Sequence, residues 1–386
     1  MTKDKVAKEL RKPIRLLIIG QTPPPFAGQM LSIETLVNAK YPDIEIYHTR
    51  MNYSQTIGEI GRVKLKKLFH LFRVIVESAY KILKYRIDVI YYPPGADTIP
   101  IIRDIATLIV LRRFRRKLIL VFHASGLSEK ASSWRGAALW FLKNAFFYPD
   151  AAIQKSALNP PDGAFVKAKA IYSIPNGWPD QFEKFRDRKL EHPVPVILFV
   201  GIVREDKGID VLIEAARLLK EQGKAFLINI VGEFSSENYR QRLFQELSES
   251  GLTEHVKFCG RKVGDEKWLH YRNADLFCFP SYYAAESFGN VAVEAMMFEL
   301  PVVTTRWRGL PDIVEDGETG FLVEIQNAQL VADRLALLLD DKALGLRMGR
   351  KGRERYLKNF TVNRYLKDTR TVVLDVVSGR RDACTV

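Results

Sequence analysis

The sequence has few cysteines, no long apolar run and no recognisable metal motif. Its three cysteines, Cys259, Cys278 and Cys384, form no C-x-x-C pair. Two of them lie in apolar runs, which favours buried free thiols in a reducing compartment over a disulfide framework. The apolar run at 14–19 is too short for a signal peptide core or a membrane span. No D-x-D motif stands where it could hold a divalent ion. We therefore expect a cytoplasmic protein, or one peripheral on the cytosolic face of a membrane, with no bound metal.

The positive charge of the chain is concentrated in its first half. The formal net charge is +14 over 386 residues. Residues 1–190 hold 32 Lys and Arg against 16 Asp and Glu, a net of +16, whereas residues 191–386 have a net of −2. Such an asymmetry predicts that one domain faces a polyanion, which could be nucleic acid, anionic lipid or a phosphorylated substrate.

Short β-branched runs alternate with longer amphipathic stretches in both halves of the chain. This pattern is typical of parallel sheets with helical crossovers, and the length suits two domains. A polar segment at 179–195 interrupts the alternation and predicts a linker. We therefore expect an α/β protein of two Rossmann-like domains, residues 1–188 with about 361–380 and residues 189–360. The last amphipathic helix, 361–377, is expected to return to the first domain. The predicted strands are 15–19, 88–92, 117–122, 151–154 and 170–174, then 196–200, 225–231, 255–259, 275–279 and 301–304.

Two loops that follow predicted strands carry groups suited to phosphate. Ligands of open parallel sheets bind beyond the carboxyl ends of the strands. Gly28 stands where the first loop enters a helix, so backbone amides could approach an anion there. A plain proline-rich turn is the alternative. Arg204 and Lys207 stand in the loop before Gly208, where a guanidinium and an ammonium beside a helix start suit a diphosphate. Two surface cations without a site are the alternative.

A third segment, 279–296, places two carboxylates around a strand-to-helix turn. Glu286 is expected on the loop and Glu294 one turn into the following helix. Carboxylates accept hydrogen bonds from sugar hydroxyls, and helix amides near Gly289 would face phosphates. The spacing alone is weak evidence, but the S-F-G-N sequence between the glutamates makes the pattern specific.

These motifs together resemble the retaining glycosyltransferases of family 4, which have the GT-B fold of two Rossmann-like domains facing a cleft. The resemblance rests on E-S-F-G-N-V-A-V-E-A-M from Glu286, on G-I-V-R-E-D-K-G from Gly201 and on I-P-N-G at 174–177. It extends through P-V-V-T-T and G-L-P-D-I-V-E-D-G-E-T-G-F-L-V within 301–323. The second domain is covered almost throughout, and the first only in outline.

The resemblance implies a role for each matching residue. Arg204 and Lys207 would bind the donor diphosphate, Glu286 would hold the transferred sugar, and His123 would contact that sugar near its anomeric carbon. On the residues alone, a lone histidine at the end of a strand, such as His123, is more often a hydrogen-bonding loop residue. Ala27 departs from the two adjacent glycines that the family commonly has in the first loop. The implied donor-binding residues are Gly28, Cys259, Arg261, Val263, Ser287, Phe288, Gly289, Asn290 and Glu294, of which Glu294 would hold the ribose, Gly28 the distal phosphate and 259–263 the base.

The resemblance also implies the reaction. The anomeric configuration would be retained without a metal, and the leaving phosphate oxygen would take the proton of the acceptor. The nucleotide sugar would be a co-substrate, a UDP-sugar rather than a GDP-sugar, and no other cofactor is implied. The acceptor would be lipid-linked or a precursor of a cell-surface polysaccharide. A nucleotide-sugar epimerase of the same fold and a catalytically silent nucleotide-sugar-binding protein are the alternatives.

Two basic elements account for much of the charge of the first half. The segment 62–86 predicts an amphipathic helix with Leu68, Phe69 and Phe72 on one face and Arg73 and Lys84 on the other. The segment 111–117 packs five cations into seven residues. The helix could cover the sheet with its apolar face, or it could bind an anionic membrane. Because many enzymes of the family that the chain resembles act on lipid-linked acceptors, we favour membrane attachment through residues 60–117. Nucleic acid is disfavoured because no aromatic stacking platform interleaves these cations.

Overall fold

The chain folds into two compact units, each built around one parallel sheet. The computed structural model describes residues 12–24, 28–51, 65–188, 190 and 192–379. The first unit consists of Met1–Pro175 with Tyr365–Val386, and the second consists of Asn176–Arg364. Each sheet has six strands within the described ranges. The predicted class of two Rossmann-like α/β domains is confirmed.

The first sheet has the strand order β2-β1-β3-β4-β5-β6, with every neighbouring pair parallel. The central strands are buried on both faces, as is usual when helices cover a parallel sheet. Because the strands are parallel, their carboxyl ends meet at one edge. The strands are β1 (Ile14–Gly20), β2 (Ile44–Arg50), β3 (Val89–Tyr92), β4 (Lys117–Phe122), β5 (Ala151–Gln154) and β6 (Ile171–Ser173).

Helices cover both faces of this sheet. The described helices before residue 176 are α1 (Gly28–Val37), α2 (Leu65–Lys84), α3 (Thr98–Arg112), α4 (Leu127–Ala131), α5 (Gly136–Phe146) and α6 (Asp162–Phe165). Val74 of α2, Leu108 of α3 and Leu142 of α5 share one core cluster with Leu120. Helix α1 packs on the opposite face, where Ile33 shares a cluster with β1 and β4 residues.

The second sheet has the order β12-β11-β10-β7-β8-β9, again with parallel neighbours. The strands are β7 (Val196–Val200), β8 (Leu227–Val231), β9 (Val256–Gly260), β10 (Leu276–Phe279), β11 (Val302–Thr305) and β12 (Gly320–Val323). The chain adds β8 and β9 on one side of β7 and then returns to add β10 on the other side. The strand order therefore reverses between β7 and β10.

The helices of the second unit fill the connections between these strands. They are α7 (Phe182–Phe185), α8 (Ile209–Glu221), α9 (Glu237–Glu249), α10 (Gly264–Arg272), α11 (Asn290–Met297), α12 (Leu310–Ile313), α13 (Ala328–Asp340) and α14 (Lys342–Asn359). A short 3-10 turn at Glu205–Lys207 precedes α8.

The last helix, α15 (Val362–Ser378), belongs to the first unit from Tyr365 onward. Tyr365 and Val373 enter the same core cluster as β1. Arg370 binds both oxygens of Asp43, with Nε–Oδ1 and NH2–Oδ2 distances of 2.9 and 2.7 Å. The predicted return of this helix to the first domain is thus observed.

The predicted linker at 179–195 is wrong, because residues 176–188 pack within the second unit. Arg353 of α14 donates to both oxygens of Asp180 at 2.8 and 2.5 Å. The rings of Phe182 and Phe185 lie against that of Phe298. Polar composition suggested a linker, but one ion pair and two aromatic anchors fix the segment. The boundary lies at 175/176 rather than at 188/189.

Helix α2 packs against the first sheet, as the sheet-covering interpretation expected, but it exposes the apolar stripe that this interpretation placed inward. Phe69 is 73% exposed and Phe72 65%. The residues that pack inward are Val74, Ser78 and Ile82, each fully buried. The helix therefore has a second, narrower buried stripe on another side. The start of the predicted helix, 62–64, and residue 60 of the proposed membrane segment lie outside the described residues.

Candidate functional site

Two loops of the second unit leave neighbouring strands at the point where the strand order reverses. β7 and β10 pair directly, with Leu276 beside Ile197. The loop after β7 carries Arg204 and Lys207, and the loop after β10 carries Glu286. In open α/β sheets, ligands bind in the crevice at such a reversal. The fold therefore brings the two predicted cations to the same edge position as the first predicted carboxylate.

Lys207 and Glu286 form a close ion pair at this position. The Lys207 Nζ lies 2.6 Å from the Glu286 Oε2, and the two side chains are only 13% and 12% exposed. The Ser281 hydroxyl donates to the same carboxylate oxygen at 3.3 Å. A pair so far removed from water is fixed in geometry and screened little by salt. The sequence placed these residues 79 positions apart, and the fold joins them.

Tyr283 supports both cations of the loop after β7. The Arg204 Cζ lies 4.5 Å and the Lys207 Nζ 4.3 Å from the centre of its ring. Arg204 also donates to both carboxylate oxygens of Asp206, at 2.5 and 2.9 Å. The electron-rich ring face attracts both cations. Sequence reasoning did not assign Tyr283 or Asp206 to the site, because neither the ring contact nor the fork-shaped pair follows from spacing.

Gly208 allows the loop after β7 to pack closely against the loop after β10. Gly208 has a φ of +79°, and a Cβ built there would lie 2.1 Å from the Pro280 carbonyl oxygen. The Tyr282 amide donates to the Asp206 carbonyl at 2.9 Å. A side chain at position 208 would force the loops apart. The glycine therefore sets the distance across which Lys207 reaches Glu286.

Glu294 of α11 is buried and held by two residues of α10. Its Oε1 accepts from the Lys267 Nζ at 2.6 Å and its Oε2 accepts from the Tyr271 hydroxyl at 2.7 Å. Glu294 is 2% exposed. Burial, and then the Glu294 charge, raise the pKa of Tyr271 well above its ordinary value, so the phenol remains a donor. Lys267 and Tyr271 were not predicted as site residues, although their i,i+4 spacing on α10 places them on one helix face.

The start of α11 is shaped by another glycine. Gly289 precedes the helix with a φ of +75°, and a Cβ there would lie 2.4 Å from the Leu310 Cδ2. Asn290 accepts a hydrogen bond from the Asn176 amide at 3.0 Å. The side chains of Ser287 and Phe288 are buried at 7% and 1% exposure. The first amides of a helix have no intrahelical acceptors, so those at the start of α11 are donors suited to an anion.

The residues predicted to line the base follow or end β9, the edge strand of the second sheet. Cys259 is half-buried, and burial raises the pKa of its thiol. Arg261 and Val263 are exposed on the loop into α10. Helix α10 carries Lys267, which donates a hydrogen bond to Glu294. The loop is therefore connected to Glu294 through this helix. Cys259 and Cys278 are free cysteines, whereas Cys384 lies outside the described residues.

The first unit carries the two remaining predicted residues. Gly28 is the first residue of α1. Ala27, the predicted departure from the family pattern, lies outside the described residues. His123 follows β4 directly and is 8% exposed. Burial, and then the charge of Lys155, lower the pKa of His123 well below its ordinary range. The imidazole is therefore neutral at neutral pH.

The described ranges contain neither a cluster of metal-ligating side chains nor a helix able to span a membrane. No group of three or more His, Cys, Asp or Glu side chains there is arranged to hold a metal ion. None of the helices there combines the length and apolar character that a membrane span needs.

Residues 180–355 match the family model described as glycosyl transferases group 1. The second unit is a group 1 glycosyltransferase domain. The chain is 32% identical over 190 residues to the capsular polysaccharide biosynthesis glycosyltransferase CapM of Staphylococcus aureus, covering 47% of this chain and 48% of CapM. It is 39% identical over 169 residues to the D-inositol 3-phosphate glycosyltransferase of Corynebacterium efficiens, covering 43% and 39%. The chain thus spans less than half the length of these relatives.

A solved structure extends the likeness to the first unit at the level of fold. The Anabaena protein HepE in complex with UDP aligns with a TM-score of 0.70 over 93% of this chain and 99% of that one, at 18% identity. The likeness supports the GT-B class of two Rossmann-like units. Within the group 1 glycosyltransferase domain lie Arg204, Lys207, Glu286 and Glu294, whereas His123 lies outside the matched segment. The group 1 match therefore covers the predicted donor-site motifs, whereas the narrower assignment to the retaining family 4 stays a prediction.

Proposed function

We propose that this protein is a retaining glycosyltransferase that transfers a sugar from a nucleoside-diphosphate sugar to an acceptor without a metal ion. The observation that carries the proposal is the buried Lys207–Glu286 pair at the strand-order reversal of a group 1 glycosyltransferase domain. Arg204, held over the same Tyr283 ring, adds a second fixed cation. The segment that matches the group 1 glycosyltransferases therefore includes Arg204 and Lys207, the two cations suited to bind a diphosphate.

Each residue has a distinct part in the proposed reaction. Arg204 and Lys207 stabilise the negative charge that grows on the leaving diphosphate, which is the largest requirement of the step. Glu286 accepts hydrogen bonds from hydroxyls of the transferred sugar, and Glu294 from those of the ribose. The bond from the anomeric carbon to the phosphate oxygen breaks while the acceptor oxygen bonds to the same face. The acceptor proton passes to the departing phosphate oxygen, so no side chain is needed as a base.

A transfer assay on purified variants tests this function. We expect Lys207→Ala and Glu286→Ala each to lower kcat/KM at least tenfold, about 1.4 kcal/mol of transition-state stabilisation. Lys224→Ala is the control, because Lys224 also forms a close ion pair, with Asp340 at 2.7 Å, but on the exposed surface. Near-normal turnover in either site variant would remove that residue from the mechanism.

The donor is proposed to be a UDP-sugar. HepE, which shares the fold, has been solved with UDP and with UDP-glucose. A thermal-shift screen of UDP, GDP, ADP and TDP sugars identifies the donor, since a bound ligand raises apparent stability by mass action. Conversion of the donor without an acceptor would identify an epimerase instead. A stabilising donor that is never consumed would identify a silent binding protein.

The acceptor is proposed to be lipid-linked and met at an anionic membrane surface. Phe69 and Phe72 of α2 are exposed beside the exposed cations Arg73 and Lys84. Helix α3 packs against α2, and the exposed cations Arg113, Arg115 and Arg116 follow its end. Apolar side chains flanked by cations are the combination that binds anionic headgroups. CapM, a relative of the second unit, is named for capsular polysaccharide biosynthesis.

Co-sedimentation with phosphatidylglycerol vesicles tests this surface. We expect the double variant Phe69→Ser/Phe72→Ser to lose most of the bound fraction. The matched control is Leu346→Ser/Leu357→Ser, which removes two exposed apolar side chains of α14, 61% and 49% exposed, and should bind normally. Unchanged binding of the α2 variant would contradict the proposal. A fall from dimer to monomer without lipid would identify the stripe as a contact between copies of the chain.

A further inference from the structure

Lys155 is a fully buried lysine immediately after β5, at the carboxyl edge of the first sheet. Its side chain is 1% exposed, and among the described residues its Nζ has no hydrogen-bond partner. The amino group instead lies 5.1 Å from the centre of the Tyr365 ring. An ammonium buried without hydrogen bonds is costly, and an apolar side chain would fill the same space at lower cost. Core packing therefore does not account for a lysine here.

The sheet register places Lys155 beside His123. β4 and β5 are parallel, with Phe122 opposite Gln154. The next residues of the two strands are His123 and Lys155. Side chains alternate between the faces of a sheet, and Val121 and Ile153, two residues earlier, lie in the core cluster that contains Tyr365. Lys155 lies over the Tyr365 ring on this face, and His123, in the bend after β4, lies near enough for the Lys155 charge to act on it.

Lys155 is the charge that acts on His123. Burial lowers the pKa of Lys155 to about 7. The pKa of His123 is lowered well below its ordinary range by burial and then by Lys155. Two phenols lie on this face: burial raises the pKa of Tyr365 to about 12 and that of Tyr91, 3.4 Å from the Tyr365 hydroxyl, well above its ordinary value. The buried Asp375 of α15 also lies on this face, where it accepts a hydrogen bond from the Tyr172 hydroxyl at 3.4 Å. Both phenols are neutral at working pH.

The loop that carries His123 is held separately by α6. The Asp162 carboxylate accepts the backbone N–H of Gly126 at 2.9 Å and that of Ser128 at 2.7 Å. Gly126 has a φ of +107°, a conformation that favours glycine. The Asp162 carboxylate thus accepts hydrogen bonds from the loop backbone. Asp162 therefore fixes the position of the loop, whereas burial and Lys155 determine the charge state of His123.

We propose that Lys155 is a positioning residue for the transfer reaction, acting through His123 by keeping its imidazole uncharged and through Tyr365 by joining α15 to this edge. This inference rests on the proposed function and on the contact between His123 and the transferred sugar that the family resemblance implies. A neutral imidazole offers a sugar one donor and one acceptor nitrogen, whereas an imidazolium offers donors alone. The buried amine keeps the acceptor nitrogen available.

The experiment compares Lys155→Met, which keeps the length and removes the charge, with Lys155→Arg, which keeps the charge. The ring signals of the full-length protein are titrated by NMR with labelled histidine, and His123→Gln assigns the relevant signal. We expect Lys155→Met to raise the His123 pKa by about half a unit or more, and Lys155→Arg to leave it low. Lys167→Met is the control, because Lys167 also lies over a ring, that of Tyr148 at 5.8 Å, but is exposed.

The pH profile of kcat/KM then tests the link to transfer. Activity that needs neutral His123 is lost as pH falls through the His123 pKa, so the acid limb should move to higher pH in Lys155→Met and stay in Lys155→Arg. An unchanged His123 pKa in Lys155→Met overturns the inference, and so does a raised pKa with an unmoved acid limb. Absence of transfer in the wild-type protein, with the NMR shift present, overturns the proposed function instead and leaves the coupling between the two residues standing.

Discussion

Each glutamate of the E-x7-E element is paired with a lysine from another part of the fold. Glu286 binds Lys207 of the loop after β7, and Glu294 binds Lys267 of α10. Both carboxylates are thus paired although they are largely removed from water. A ligand that binds there exchanges one set of charge-assisted hydrogen bonds for another, so little reorganisation is needed.

Gly289 offers a test of how closely the start of α11 is specified. We expect Gly289→Ala to lower the free energy of unfolding by about 2–4 kcal/mol, from backbone strain at positive φ and from contact with Leu310, which is fully buried and has little room to move. Donor binding should weaken as well, because the first amides of the helix shift. Urea unfolding and calorimetric titration with UDP measure the two effects.

Gly317→Ala is the matched control for that substitution. Gly317 has a φ of +77°, but a Cβ there would meet nothing within 4 Å. It should show only the backbone cost of about 1–2 kcal/mol and normal donor binding. Equal losses in the two variants would show that the contact with Leu310 is relieved by a small shift and that the turn tolerates a side chain.

The residues of the site divide by what a linear pattern can reveal. Arg204, Lys207 and both glutamates were predicted because loop position and motif mark them in the chain. Tyr283, Lys267 and Lys155 were not, because each is placed by a neighbour distant in sequence. The i,i+4 pair on α10 becomes informative only when one knows that this helix face meets α11.

At the scale of elements, the prediction was best where strands are central. The strand predicted at 117–122 coincides with β4 and that at 196–200 with β7, both continuous apolar runs. The strands that were missed, β2 and β12, lie at sheet edges. β2 alternates polar and apolar residues, and β12 has four residues after a turn at Gly317. Periodicity also failed on α2, since it cannot tell which of two stripes the sheet selects.

Helix α15 allows the energetic weight of one element's anchor to be measured. Arg370 and Asp43 are joined by two hydrogen bonds, with the Asp43 side chain 8% exposed. We expect Arg370→Met to lower the free energy of unfolding by about 1–3 kcal/mol, because it leaves a buried carboxylate without its partner. Urea unfolding followed by circular dichroism provides the measurement.

Two further variants serve as comparisons for the stability of Arg370→Met. Arg217→Met removes a surface arginine paired with Glu214, both more than a third exposed, and should destabilise the protein much less than Arg370→Met. Adding Asp43→Asn to Arg370→Met should recover part of the loss, since the uncompensated charge is removed. A loss for Arg370→Met no larger than that of Arg217→Met would mean that apolar contacts of Tyr365 and Val373 alone hold the helix.

At the scale of the whole molecule, charge and chemistry are divided between the halves of the chain. The first half holds the net charge of +16, and the second half, with a net of −2, holds the donor-site motifs. A nearly neutral second half means that its affinity for a diphosphate depends on a few fixed cations. The surplus on the first half acts over longer distances, up to about 10 Å at 0.1 M salt.

This division predicts two components of membrane association that respond differently to salt. Raising salt from about 0.1 M to about 1 M shortens the Debye length from ~10 to ~3 Å. We expect binding to phosphatidylglycerol vesicles to fall at least tenfold over that range, because exposed cations such as Arg113, Arg115 and Arg116 are screened. The binding that survives should depend on Phe69 and Phe72, whose burial in lipid is not screened.

Vesicle co-sedimentation at both salt concentrations, with single-stranded DNA as a rival polyanion, separates the components. Binding that ignores salt, or DNA that displaces the protein from vesicles at equal phosphate, would contradict an anionic lipid surface as the partner of the first half.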